Sequence, residues 1–183
     1  MRGNALEPRT YQDHLAGACA AISCVGGFGS QEVQLRINGA ANVAAIEAAA
    51  AAGVPRFVFV SANIPAVPGI ELALGGYIRG KREAEAALSR CFPGAGVALR
   101  PGVVHGDRVV SASVTLPLGL VFGPLEFALR KLPTERLAAL PLVGGAFVPP
   151  ISAKELARLA VRAASDPSFP AGVLDPWQMQ KML

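Results

Sequence analysis

The chain has 183 residues, 52% of them hydrophobic and 16% charged, with a formal net charge of +4. That length suits one well-buried domain and is short for two, and the composition argues for a folded core rather than disorder. Its Lys and Arg residues are scattered, with no basic block and no interleaved aromatics, which argues against nucleic-acid binding.

In chain order, the first ten residues have no apolar segment of the kind a secretory signal peptide needs. Thr10–Ala18 reads as a short helix. Ala20–Val25 is a continuous apolar run ended by Gly26-Gly27, the pattern of a strand buried on both faces, with Cys24 as a small core residue. Cys19, Cys24 and Cys91 form no CxxC pair, so no zinc site of that kind can be built, and the odd count suits a reducing interior. A long helix follows over Ser30–Ala52, with Ser30 as N-cap and Gly53 as its stop. Pro55 prevents continuation, and Arg56–Ala62 reads as a second buried strand.

Beyond a loop with Pro65 and Pro68, an amphipathic helix runs from Tyr77 to Cys91, with Glu83, Glu85 and Arg90 on its solvated face. Val97–Arg100 is a third strand, cut off by Pro101-Gly102. Residues 107–150 read as an irregular, substrate-side lid. Within them Val114–Leu129 carries Pro117, Pro124 and Glu126 and is too short to span a bilayer; it is either a buried cover or a lipid-facing surface. Ser152–Ser165 is a final helix with capping-box spacing between Ser152 and Glu155. Gly172–Asp175 is a short last strand. Strands separated by helices imply βαβ units. The expected fold is α/β, one Rossmann-like domain over residues 1–183 with a doubly wound parallel sheet.

In such sheets ligands sit beyond the carboxyl ends of the strands. That rule selects Gly26–Ser30, Ser61–Asn63 and Pro101–Gly106 as walls of one cleft. Tyr77 and Lys81 lie four apart at the start of a helix and project from one face. An ammonium beside a phenol lowers its pKa, so Tyr77 is a candidate acid/base, and Ser61 at a strand end could bond the same substrate oxygen. Gly27-x-Gly29-x-x-Glu32 nearly fits the dinucleotide fingerprint. Its third glycine is a glutamate, and Glu47, standing for the distal acid, falls inside a helix.

Together, the strand and loop Ser23–Gly27, the segment Arg36-Ile37-Asn38, the strand Phe57–Ser61, Tyr77-Ile78-Arg79-Gly80-Lys81 and Arg100–Gly106 resemble the short-chain dehydrogenase/reductase superfamily. The narrower likeness is to its atypical, NmrA-like and extended members. The later pieces Thr115–Leu129, Leu140–Pro167 and Gly172–Trp177 are similar to a plant and algal plastid branch. Members of that branch are associated with plastoglobules, and mitochondrial relatives bear on ubiquinone biosynthesis and complex I. The resemblance implies NAD(P) as cofactor and Ser61, Tyr77 and Lys81 as catalytic residues. It implies that Val25, Gly26 and Gly27 line the cofactor cleft, that Asn38 steadies the neighbouring helix, and that Pro101, Gly102 and Val103 meet the nicotinamide end. It also makes Gly26–Ser30 the loop after the family's fourth strand.

Family members open with a strand and a Gly-x-x-Gly-x-x-Gly turn for the pyrophosphate; no such turn occurs in this chain. The sheet is therefore expected to lack the first strands of the dinucleotide-binding half, weakening cofactor binding and leaving strand 20–25 for a protein partner to cover. Two functions are carried forward. One is an oxidoreductase acting on a quinone or other lipid-like small molecule. The other is a non-catalytic binding or assembly protein of a quinone-biosynthesis or membrane-associated complex. The resemblance places the protein in the chloroplast, at plastoglobules, with the mitochondrion as the alternative.

Overall fold

The computed structural model describes residues 3–64, 68–111, 114–117, 127, 129, 134–138 and 147–183. Strand β1 (Ala21–Ser23) leads through a glycine-rich loop into a helix of three parts: α1 (Gln31–Leu35), a π-helical turn (Arg36–Ala40) and α2 (Ala41–Ala51). The Ser30 side chain accepts from the Val33 amide at 3.3 Å and starts this helix. Gly53, at φ +73°, ends it in the left-handed conformation that a side chain would strain. Strand β2 (Phe57–Val60), helix α3 (Ile70–Cys91) and strand β3 (Gly96–Leu99) follow.

After β3 come β4 (Val104–His105), β5 (Asp107–Ser111), β6 (Val114–Pro117), α4 (Thr134–Leu137) and β7 (Ile151–Ser152). Helix α5 (Ala153–Ser165), strand β8 (Gly172–Leu174) and helix α6 (Pro176–Gln180) close the chain. The main sheet has the order β1-β2-β3-β8 with every pairing parallel. Two short accessory sheets pair β4 with β7 and β5 with β6.

Period-two alternation along the strands divides the core into two layers. Phe57, Phe59 and Ala98 pack with Ile46 and Ala49 of α2 and with Ala84, Ala87 and Leu88 of α3. Val58, Val97 and Leu99 point the other way, against Leu156, Leu159 and Ala163 of α5. Helices thus cover both faces, the doubly wound arrangement the strand–helix alternation predicts. Arg56, at the entry to β2, binds the far layer by donating to the carbonyls of Ala163 and Phe169 near the end of α5.

Several expectations change. Thr10–Ala18 is not an α-helix but lies on two 3₁₀ turns, Pro8–Thr10 and Gln12–His14, with no buried residue to hold a longer helix. The first strand is shorter than Ala20–Val25. It lies at the sheet edge, with Ile22 42% exposed, so it is not buried on both faces. Cys24 is exposed rather than in the core. Helix α3 begins at Ile70, seven residues before Tyr77, after Gly69 in the left-handed region. The irregular, substrate-side lid expected over 107–150, and the tract Val114–Leu129 with it, falls largely outside the described residues. Among the described residues, no helix is long and apolar enough to cross a membrane.

Candidate functional site

The loop after β1 is held from below by amide side chains of one helix face. Asn38 is fully buried in the π-helical turn; its Nδ2 donates to the Gly27 carbonyl at 2.8 Å and its Oδ1 accepts from the Gly27 amide at 3.2 Å. Both polar groups of one loop residue are thereby satisfied by one side chain, which fixes the loop against the helix. Asn42, one turn on and equally buried, accepts from Ser23 Oγ at 2.6 Å and donates to the Val25 carbonyl at 3.2 Å.

Two glutamines on the same face reach across to α3. Gln31 Nε2 donates to the carbonyls of Glu71 and Leu72 while its Oε1 accepts from the Gly76 amide. Gln34 Nε2 donates to the Ala73 carbonyl at 2.9 Å, and its Oε1 accepts from the Tyr77 amide at 3.0 Å. Each side chain thus spans a donor and an acceptor four residues apart in the α3 ladder, immediately before Tyr77. The close approach needs glycine. A Cβ on Gly76 would lie 2.0 Å from the Gln31 carbonyl oxygen, and one on Gly80 would lie 2.6 Å from the Gly39 nitrogen.

On α3, Tyr77 and Lys81 share a face, as their spacing predicts. The Lys81 ammonium lies 5.7 Å from the Tyr77 ring centre and 4.7 Å from that of Phe59. It donates to the Val60 carbonyl at 2.8 Å and the Val25 carbonyl at 3.3 Å, which join the ends of β2 and β1. Only 5% of Lys81 is exposed, and burial pulls its pKa down to about 8, against the charges of Cys24 and Glu85. Tyr77 departs from expectation: burial raises its phenol above the ordinary value, so the hydroxyl is protonated at neutral pH. The ammonium sits against the ring, with its hydrogen bonds directed to backbone carbonyls.

Ser61 is buried, and its hydroxyl donates to Glu85 Oε1 at 2.6 Å. Arg100, at the end of β3, donates from Nε to the same oxygen at 2.8 Å and from Nη2 to Oε2. Glu85 therefore does not belong to the solvated face of α3. Burial opposes its charge, but hydrogen bonds from Arg100 and Ser61 and the charges of Arg100 and Arg82 outweigh it and hold the carboxyl below its usual range. The Ser61 hydroxyl, read from the sequence as a bond to the substrate oxygen that Tyr77 serves, is directed at Glu85 in this structure.

The third loop closes the edge. Its Pro101 carbonyl accepts from the Asn63 amide at 2.8 Å and its Val103 carbonyl from the Ile151 amide at 2.9 Å. Pro101 is buried and Val103 is exposed, while Gly102 leaves no room for a side chain against Pro149. Parallel pairing of β1, β2 and β3 thus brings Val25–Gly27, Ser61–Asn63 and Pro101–Val103 to one sheet edge. Sequence reasoning missed Gln31, Gln34 and Asn42, as well as the inward turn of Glu85. A signal was available: Gln31, Gln34, Asn38 and Asn42 recur at spacings of three and four, a polar stripe on one helix face.

This topology, with its loops gathered at the carboxyl edge, is the doubly wound fold of NAD-binding epimerase/dehydratase and short-chain-dehydrogenase-like enzymes. The Bordetella bronchiseptica enzyme WbmH, solved with NAD+, superposes with a TM-score of 0.62 at 18% identity over 96% of this chain and 59% of its own. Pseudomonas aeruginosa RMD, solved with NADPH, superposes with a TM-score of 0.55 at 16% identity over 94% of this chain and 64% of its own. In sequence, the chain is 38% identical over 161 residues to the uncharacterized chloroplastic protein At1g32220 of Arabidopsis thaliana, 87% of this chain and 54% of that protein. The chain thus spans about half the length of that curated relative. No protein-family model matches it.

Gly26 and Gly27 carry no side chain, and the Lys81 ammonium beside this loop has two of its three donors engaged by the Val60 and Val25 carbonyls, which leaves one for a polar group of a ligand. A Gly-x-x-Gly-x-x-Gly turn for the pyrophosphate does not occur in this chain.

Proposed function

We propose that the chain forms the substrate-side part of an NAD(P)-dependent oxidoreductase of the chloroplast that reduces a quinone or other prenyl-lipid carbonyl. The observation that carries this reading is Tyr77 above Lys81 at the carboxyl edge of a parallel sheet, beside a bare glycine loop. Val25, Gly26, Gly27, Lys81 and Pro101–Val103 would wall the nicotinamide, which supplies a hydride when bound. Because burial keeps the Tyr77 phenol protonated, it serves as an acid, giving its proton to a carbonyl oxygen as charge develops there. Lys81 places positive charge near that phenol and steadies the phenolate left behind. Apolar side chains at the loops and at the start of α3 (Phe28 70%, Leu72 88% and Val103 52% exposed) suit a greasy substrate. The chloroplastic relative supports the compartment; plastoglobule attachment rests on resemblance, and flotation with lipid droplets tests it.

Titration with NADPH and NADH, followed by turnover of a quinone, tests the enzyme. Micromolar binding retained in Tyr77→Phe, with turnover lost, is the expected result. Absence of binding at millimolar cofactor would sink the reading for this chain.

A second reading, a binding or assembly protein without turnover, is favoured by one observation: the Ser61 hydroxyl is committed to Glu85 rather than offered to substrate. A cavity of about 320 Å³ beside the exposed β1 edge, lined by Tyr11, Leu15, Ile22 and Cys24, suits a protein partner. Under this reading, removing Tyr77 leaves partner capture intact.

A further inference from the structure

Phe28 is presented rather than merely exposed. Its ring stacks on Tyr77 with centres 5.4 Å apart and planes within 9°, yet 70% of the residue remains open to solvent. A single apolar side chain at a surface needs no explanation; the bracing around this one does. Both backbone groups of Gly27 are bonded to Asn38, and the Gly29 carbonyl accepts from Gln34 Nε2 at 2.8 Å. Phe28 therefore hangs on a hoop pinned on each side by a buried amide. Gln34 also accepts from the Tyr77 amide, so one side chain, 3% exposed, sets the spacing between the two aromatic residues. Gly29, at φ +150° and with Val33 3.0 Å from where its Cβ would be, gives the hoop its tight return.

From this arrangement we propose that Phe28 and Tyr77 form a rigid aromatic platform that selects a planar, conjugated carbonyl compound, held by stacking on the open face of Phe28. Tyr77 backs the opposite face of the Phe28 ring and holds it in place. The inference deepens the oxidoreductase reading by naming a shape of substrate, and it rests on that reading only for the turnover of the bound compound. A flat ring gains contact over its whole face from a preorganised partner, whereas a saturated, puckered ketone meets it at few atoms.

The test is equilibrium binding without cofactor. Isothermal titration of the chain with anthraquinone sulfonate, which is flat, is compared with camphorsulfonate, a puckered ketone of the same charge. The expected result is binding of the flat compound only, weakened about tenfold in Phe28→Ala and restored in Phe28→Tyr. Phe28 is exposed and packs on one ring, so the alanine variant is expected to melt as the parent does. Equal affinity of the parent and Phe28→Ala, equal affinity for the two ketones, or no binding of anthraquinone sulfonate would overturn the platform. Displacement of anthraquinone sulfonate by NADPH would assign the platform to the nicotinamide and overturn the substrate assignment. Flat-ring binding that persists where NADPH fails to bind would remove the oxidoreductase reading and leave the platform standing.

Discussion

Lys81 carries a charge where the fold least favours one. Its pKa falls from 10.5 to about 8 because burial disfavours the ammonium. Below pH 8 the lysine is charged in folded and unfolded chains alike, and the folded state bears the desolvation cost, about 3 kcal/mol for a shift of this size. Between about pH 8 and 10.5 the unfolded chain binds more protons, so this contribution to stability rises with pH. Denaturant midpoints across that window should climb in the parent relative to Lys81→Met, and a flat difference would show the amine to be solvated. At Glu85 stability also rises with pH, but there the fold favours the charged form. Its carboxyl is depressed from 4.5, so its stabilisation is full above that pH and is lost as acid takes the solution below it. Glu85→Gln should cost about 3 kcal/mol at neutral pH, the low end for a buried pair because Arg100 is 25% exposed, with the difference shrinking in acid. The spacing of Tyr77 and Lys81 was legible, and the same step of four reaches Glu85. Its inward turn was hidden because its partner Arg100 lies on another element.

Among the elements, the crossing of the first helix with α3 sets the site. The N-cap at Ser30 and the stop at Gly53 were readable, being local chemistry. The contact between Gly39 and Gly80 was not, since a glycine in a helix reads as a weak spot until another backbone is seen against it. Gly80→Ala should push the helices apart and cost about 1–3 kcal/mol, measured by thermal melting, with cofactor or ketone binding weakened in parallel. Gly94→Ala makes a useful contrast. No heavy atom stands near its missing Cβ, so any loss there comes from its φ of +77° alone.

For the molecule as a whole, the sheet edge governs behaviour. β1 pairs with β2, and among the described residues nothing pairs with its other side. With Ile22 at that edge 42% exposed, concentrated protein should self-associate, and Ile22→Lys should shift light scattering toward the monomer. Unchanged scattering would show the edge to be already protected. The apolar run Ala20–Val25 read as doubly buried because composition reports what a strand can bury, whereas its place in the sheet decides what it does bury.

By itself the sequence determined the alternation of strand and helix, the parallel doubly wound class, the helix caps and the Tyr77–Lys81 pair. Each is written in patterns a few residues long, because backbone propensity, side-chain periodicity and capping act over one or two turns. Only the tertiary structure decided that Ser61 is spent on Glu85, that burial raises rather than lowers the Tyr77 phenol, and that Phe28 is braced above Tyr77 by Gln34 and Asn38. Those outcomes depend on desolvation and on partners tens of residues away, which short-range pattern does not encode.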